Sequence, residues 1–369
     1  MEHPIPEVNL KNTPLLDEHK RLGAKLAPFG GWLMPIQYSG IISEHLWCRS
    51  SAALFDICHM GEIKIHGDPE ENGMENILTV SLHRMKVGSC HYAFMLDEHG
   101  GIIDDVVIYR LKDWDWMLVV NASTAEGDYA HIKKHLFFGT KLENVSNKTA
   151  KLDLQGPLSR EVLKVILGED FRKLGYYTFG KFKLLGEEAI ISRTGYTGEL
   201  GFEFYLSNQK VAELWNLLLK DPRVKPGGLG ARDTLRLEVG YPLYGQDIDR
   251  NFTPIQAGLG SFVDLNKNFI GKTALLDRRA KAQSKKLVCF ITESRRSPRH
   301  NYKIYSGDKE IGFVTSGSFS PSLSCGIGMG YVDQEYEEEG TKITVKDAAV
   351  EIEAIITKKP FYKKGTARS

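Results

Sequence analysis

Apolar positions along this chain switch between helical and strand spacing, with no regular alternation of the two. Leu15, Leu16, His19, Leu22 and Leu26 recur at helical spacing. Thr13-Pro14 ahead of them, with Asp17 and Glu18 in the first turn, forms a helix start. Phe29-Gly30-Gly31-Trp32-Leu33-Met34-Pro35 reads as a packed loop of large apolar groups. Residues 62–66 alternate as a strand. Residues 102–109 and 116–120 predict a hairpin, followed by a helix with a capping box at Ser123 and Glu126. Residues 152–154 predict a short strand. Gly156-Pro157 then opens a helix with Leu158, Val162, Val165 and Ile166 inward, closed near Gly168. Val211, Leu214, Trp215 and Leu218 mark another helix, and residues 227–239 a further one carrying Arg232 and Arg236 one turn apart. Past a charged run at 277–286, short strands at 287–291, 311–315, 343–345 and 350–356 alternate with Gly/Ser/Pro turns, the pattern of a small barrel or sandwich. This order predicts an α+β fold with mostly antiparallel sheets, not a doubly wound one.

A chain of 369 residues exceeds one ordinary core, so two or three domains are expected. Lys and Arg total 48 against 47 Asp and Glu, a net charge of +1 that carries no nucleic-acid footprint. No apolar run is long enough for a membrane span, and the first residues resemble neither a secretory nor a transit segment. Five scattered cysteines form no Cys-x-x-Cys pair and read as reduced, buried thiols, which points to the cytoplasm. Cys58-His59 has no second pair at metal-ligand spacing, so no metal is expected. Gly326, Gly328 and Gly330 have no helix after them and make no nucleotide loop.

Three places could carry chemistry. Residues 195–204 combine a glycine-punctuated turn with a strand in which Phe202 and Phe204 share one face, Glu203 and Tyr205 the other. Such a unit can bring the Tyr196 ring and a carboxylate to one pocket, suited to a flat heterocycle with two adjacent N–H donors. It can equally be a plain hairpin with a buried tyrosine. Asp104 and Asp105 interrupt the apolar run 102–107. Either one faces a pocket for acid–base or electrostatic work, or both cap the strand after the Gly100-Gly101 turn. Arg232 either offers its guanidinium to an anion or pairs structurally with Asp233 or Glu238.

Over nearly its whole length the chain resembles the T-proteins of the glycine cleavage system, the aminomethyltransferases. The resemblance is carried by FGGWLMP (29–35), LFDICHM (54–60), GGIIDDVV (100–107), LQGP (154–157), GYTGE (195–199), ARDTLRLE (231–238) and LYGQDI (243–248), with Thr315-Ser316-Gly317 and Pro360-Phe361. It implies a three-lobed, cloverleaf-like folate-binding fold with a C-terminal β-barrel-like domain. Residues 1–276 would form two interleaved α+β lobes, 277–286 a linker and 287–369 the barrel. It also implies that the methylene carbon of the aminomethyl-lipoyl arm of H-protein passes to tetrahydrofolate, releasing ammonia and 5,10-methylenetetrahydrofolate. Lipoylated H-protein would be the direct partner, and the P- and L-proteins functional partners, with no nucleic acid or membrane involved. By motif position Asp105 matches the catalytic aspartate. Tyr196, Glu203 and Arg232 match folate-site residues, Met60 a position near the channel, and Arg368 a ligand from the tail. Arg232 would meet the anionic glutamate tail of folate.

The alternative is a non-catalytic folate-binding relative of iron–sulfur maintenance. Those relatives carry a Lys-Gly-Cys-Tyr-x-Gly-Gln-Glu signature, where this chain reads Lys267-Asn268-Phe269-Ile270-Gly271-Lys272 without a cysteine. Folate domains of dimethylglycine or sarcosine oxidases bear a flavin domain for which 369 residues leave no room.

Overall fold

The computed structural model describes residues 10–280, 285–348 and 350–369. The amino-terminal residues read above for targeting, and residues 281–284 of the charged run, lie outside the described residues. The run's first four residues close the helix Lys272–Ala280, and its last two open the strand Lys285–Thr292.

Two sheets are built from interleaved stretches of chain. Strand Ala52–Asp56 lies near one edge of a six-stranded sheet. The chain then leaves it to make all five strands of a second sheet, Gly61–His66, Cys90–Leu96, Ile102–Arg110, Asp115–Val120 and Lys141–Asn144. It returns at Thr149–Gln155, which pairs with both Ala52–Asp56 and Gly201–Ser207. Each sheet has its own core. Leu152, Leu154, Phe202, Phe204 and Trp215 fill one, and Ile63, Met95, Ile108, Trp116 and Ile132 fill the other. A third lobe is a closed six-stranded barrel around Phe290, Ile304, Val314 and Ile352. Among the described strands, parallel pairing occurs only between Lys11–Asn12 and Trp32–Gln37 and between Val224–Gly227 and Ala52–Asp56.

Local corrections have local causes. The first helix spans only Leu16–Arg21; Gly23 at φ +70° ends it, and Leu26 sits in strand Lys25–Phe29. That strand pairs with Trp32–Gln37 across Gly30-Gly31, both at positive φ, so the expected loop is a hairpin. The expected capping box is absent: helix Ala125–His135 starts after Thr124 with no side-chain cap. Val165 is exposed, and Leu163 takes the inward place in helix Ser159–Leu167.

The barrel contains two strands the pattern did not predict, Lys303–Ser306 and Cys325–Asp333. The second is the Gly326-Gly328-Gly330 segment. A Cβ on Gly328 would lie 2.5 Å from the Phe290 ring, and one on Gly330 2.6 Å from the Phe313 carbonyl oxygen. The glycines thus give room to a ring and to backbone from neighbouring segments, which hides the strand from a hydrophobicity pattern.

After the barrel the tail runs back to the first sheet. Tyr362 N–H donates to the Glu238 carbonyl at 2.8 Å, and Ala367 N–H to that of Gly198 at 3.1 Å. Gly198 has φ +79°, and a Cβ on Gly365 would lie 2.4 Å from its carbonyl oxygen. The glycines of this turn therefore admit a second backbone at contact distance.

Candidate active site

Alternation along Gly201–Ser207 sends Phe202 and Phe204 into the core and leaves Glu203 and Tyr205 on the opposite face. Their register partners there are Asp153 and Lys151. Lys151 Nζ lies 3.3 Å from one Glu203 oxygen, and Thr194 Oγ1 donates to the other. Arg232, from helix Leu229–Glu238, donates to Asp153. Its guanidinium sits 5.2 Å from the centre of the Tyr196 ring, and Tyr196 Oη donates to the Pro242 carbonyl. Ring and carboxylate are thereby held by groups on three different segments.

The second sheet supplies Asp105. One carboxyl oxygen accepts from Tyr92 Oη at 2.8 Å, the other from Asn121 Nδ2 at 2.8 Å. Burial, then the charge of Asp104, pushes the Asp105 carboxyl up to about 7, while Tyr92 and Asn121 favour its ionised form. A chain of hydroxyls connects the two sheets. Tyr109, on the Asp105 strand, meets Tyr205 Oη at 2.8 Å and Ser192 Oγ at 3.1 Å. Ser192 meets Thr194 Oγ1 at 2.7 Å, and Thr194 donates to Glu203. The strand bearing Asp105 is thus tied to the strand bearing Glu203 by directional bonds as well as packing.

Met60, Asp105, Tyr196, Glu203, Arg232 and Arg368 all line one cavity of about 1310 Å³. Its walls come from both sheets, the Phe29–Ile36 region, the loop 239–246 and the tail. Asp104 does not line it, which places the two neighbouring carboxylates in different surroundings. Where Arg232 pairs structurally, its partner is buried Asp153, through Nη1 alone, and not Asp233 or Glu238, which pair with Arg236 and Arg49; the guanidinium still lines the cavity. Met60 Sδ lies 3.7 Å from Lys151 Nζ, and Arg368 is exposed, 5.7 Å from the centre of the Tyr176 ring.

Tyr92, Asn121, Lys151 and Asp153 were missed from the sequence. The alternation Lys151-Leu152-Asp153-Leu154, with charges inside an apolar strand, was a usable signal for two of them. Tyr92 is diagonal to Asp105 only because Phe94 pairs with Asp105 and Tyr92 with Val107, a register that no local pattern states. Among the described residues no group of three or more His, Cys, Asp and Glu side chains is arranged to hold a metal ion, and no helix is long and apolar enough to cross a membrane.

Sequence and fold both match known proteins. Residues 15–267 match the GCVT N-terminal domain, and residues 285–363 the glycine cleavage T-protein C-terminal barrel domain. The chain is 42% identical over 362 residues to an aminomethyltransferase of Caldanaerobacter subterraneus, covering 96% of this chain and 97% of that protein. It is 45% identical over 356 residues to one from Halothermothrix orenii, covering 95% and 100%. The crystal structure of glycine cleavage system aminomethyltransferase T from Bartonella henselae superposes with a TM-score of 0.91 at 35% identity, covering 97% of this chain and 99% of that one. The chain belongs to the glycine cleavage T-protein family, the aminomethyltransferases.

Proposed function

We propose that this enzyme takes the aminomethyl group from the lipoyl arm of H-protein and passes its methylene carbon to tetrahydrofolate. Ammonia, the reduced lipoyl arm and 5,10-methylenetetrahydrofolate are the products. The observation that carries the reading is the single cavity that joins Asp105 to the Tyr196–Glu203 wall. Its volume exceeds the roughly 300–1,000 Å³ of ordinary small-molecule sites, which leaves room for a folate and the tip of a carrier arm together.

The residues suit this pair of substrates. Tetrahydrofolate supplies the two nitrogens that end bonded to the methylene carbon. Each Glu203 oxygen, although already partnered, retains a lone pair for the two N–H donors on the pterin edge. Tyr196, fixed through its hydroxyl, offers a ring face for stacking. Asp105, ionised, stabilises positive charge developing at the carbon–nitrogen centre. With its carboxyl near 7 it can also take up a proton lost from folate as the new bond forms. Holding the two carriers in one cavity replaces a chance encounter with a fixed geometry. Mixing the enzyme with aminomethylated H-protein, with and without tetrahydrofolate, tests the reading: methylene transfer that does not require folate would overturn it.

Glu203→Gln should weaken tetrahydrofolate binding by about 1–3 kcal/mol, because the amide turns one donor toward a donor. Calorimetry on a variant that keeps the parent's thermal midpoint checks this; unchanged affinity would remove Glu203 from the pterin contact.

Docking of H-protein should use local positive charge, since the whole chain is near neutral. Lys363 and Lys364 are exposed beside the cavity, and Lys363 lines it. Arg295, Arg296 and Arg299 are exposed on a barrel loop whose Pro298 packs on Gly317. The adjoining Ser316 bonds the cavity-lining Gln246 at 3.3 Å. Charge reversal at Arg295 and Arg299 should raise the KM for aminomethylated H-protein, more so at low salt, without changing folate affinity. A KM equal to the parent's at low ionic strength would take this loop out of the interface.

A further inference from the structure

One wall of the cavity is left over by the Tyr196–Glu203 site. Val80, Tyr92, Leu259 and Phe262 line it from three separate segments of chain. Among the described residues, Phe262 is the one large exposed apolar side chain that lines the cavity: it is 39% exposed, where Leu259 is 5% exposed. Its ring meets the Tyr92 ring edge-on with centres 4.9 Å apart, and Tyr92 meets Phe94 in the same way at 5.1 Å. Tyr92 Oη in turn donates to Asp105 at 2.8 Å. An apolar strip therefore runs from an exposed ring to the carboxylate.

The strip is held firmly. Phe262 ends the short turn Gly260–Phe262, and buried Thr79 ties that turn to the strand beside Asp105. Thr79 Oγ1 donates to the Phe262 carbonyl at 3.1 Å and accepts from Phe94 N–H at 3.0 Å. Its own N–H donates to the Phe94 carbonyl at 3.1 Å, and its carbonyl accepts from Asp264 N–H at 2.8 Å. Lys267 Nζ donates to the carbonyls of Glu75, of Leu78 at 2.9 Å and of Val80 at 2.8 Å. Residues 78–80 and 262–267 are thereby bound into one frame. A ring fixed in an open position keeps its apolar surface available to a ligand.

Charge divides the cavity. The cations that line it are Lys151 on the first sheet, Arg232 and Arg236 on helix Leu229–Glu238, and Lys359, Lys363 and Arg368 on the tail. None belongs to the strip. An anionic ligand is drawn to the cation-bearing walls. The strip suits a ligand that is apolar along its length and positive at its inner end, where Asp105 stands. A thioether adds to the fit, because sulfur packs favourably at the edge of an aromatic ring.

We propose that this strip is the lane of the carrier arm. Val80, Leu259 and Phe262 take the aliphatic chain and thioether of the aminomethyl-lipoyl group, the terminal amine meets Asp105, and folate keeps the cation-bearing walls. The inference rests on the reaction proposed above and assigns a wall to its second substrate.

Three ligands measured on the same variants test the lane: tetrahydrofolate, reduced lipoylated H-protein and unlipoylated H-protein. Phe262→Ala should raise the KM for aminomethylated H-protein, and the Kd of the reduced lipoylated form, by about 10-fold, the loss of contact with about two methylenes. kcat, tetrahydrofolate affinity and the Kd of unlipoylated H-protein should stay those of the parent, because what is lost is binding common to ground and transition states. Phe262→Trp keeps a ring at the site and should stay within about 2-fold of the parent. Val80→Ala should raise the same KM by about 4-fold, and it probes the wall by itself if Phe262→Ala does not fold. An equal loss for unlipoylated H-protein would place Phe262 under the body of the carrier. A loss of tetrahydrofolate affinity would give the strip to folate. A KM unchanged in both alanine variants would show that no substrate lies on it. Each of these results overturns the proposal. A parent that transfers no methylene from aminomethylated H-protein, or transfers it without tetrahydrofolate, would instead overturn the reaction itself, and the lane with it.

Discussion

Asp105→Asn is expected to lower aminomethyl transfer by about 10²-fold or more while tetrahydrofolate affinity changes little. The amide keeps the shape, and Tyr92 and Asn121 can still be satisfied, one as acceptor and one as donor. What it loses is the charge and the ability to take up a proton. Asp104→Asn should cost much less, because Asp104 does not reach the cavity. Single-turnover rates with aminomethylated H-protein compare the two, and equal losses would sink the assignment of Asp105.

The same substitution should stabilise the fold. The folded carboxyl is raised from its ordinary 3.8 to about 7, so the folded state holds its proton more tightly than the unfolded chain. Stability relative to the neutral amide is therefore equal below about pH 4, is lost as the pH rises, and is lowest above 7. The full difference corresponds to ~4 kcal/mol, which water in the cavity should reduce to about 1–2 kcal/mol. Asp105→Asn should thus resist urea better than the parent near pH 8 and equally near pH 4. A variant with no gain at the higher pH would show that the carboxylate is well solvated in the folded protein.

Arg236→Met should have the largest effect on stability. Arg236 is 1% exposed and joins three parts of the molecule. Its Nη1 donates to Asp247 at 2.7 Å and to the Tyr241 carbonyl at 3.1 Å, its Nε to Asp233 at 2.8 Å, and its Nη2 to Ser316 on the barrel at 2.8 Å. Asp247 is fully buried and also accepts from Ser316 at 2.8 Å and Leu243 N–H at 2.9 Å. Methionine would leave Asp247 without its cation, and stranding one member of a buried pair costs about 3–5 kcal/mol. Urea unfolding should show this loss, with the barrel detaching before the sheets. Adding Asp247→Asn should recover part of it, because the stranded charge is then gone. A loss under about 1 kcal/mol would mean that water or a rearranged partner already serves Asp247.

Residues 231–238 show how far sequence reasoning reached. Two arginines one turn apart face different surroundings, since i and i+4 on a helix share a side but not a depth. Arg236 enters the contact with the barrel, and Arg232 reaches the cavity wall. A pattern of charges cannot say which, because the answer depends on a barrel strand some eighty residues further along the chain. The Asp104-Asp105 pair is similar. Strand alternation already said that only one could face a pocket, and the structure adds that one asparagine holds both.

By itself the sequence determined the elements whose signals are local. These include the amphipathic helices at Val211–Leu218 and Leu229–Glu238, the hairpin of Ile102–Arg110 with Asp115–Val120, and the glycine turn before Glu203. It also determined, through the order and spacing of its motifs, the family to which the chain belongs. The tertiary structure alone decided the interleaving of the two sheets and the glycine-built barrel strand. It alone decided the hydroxyl chain from Tyr205 to Glu203 and the asparagine that bridges Asp104 and Asp105. Helix periodicity and turn chemistry act over a few residues, so the sequence displays them directly. Strand register and the burial of a charge depend on groups brought together from distant parts of the chain, and they exist only once it has folded.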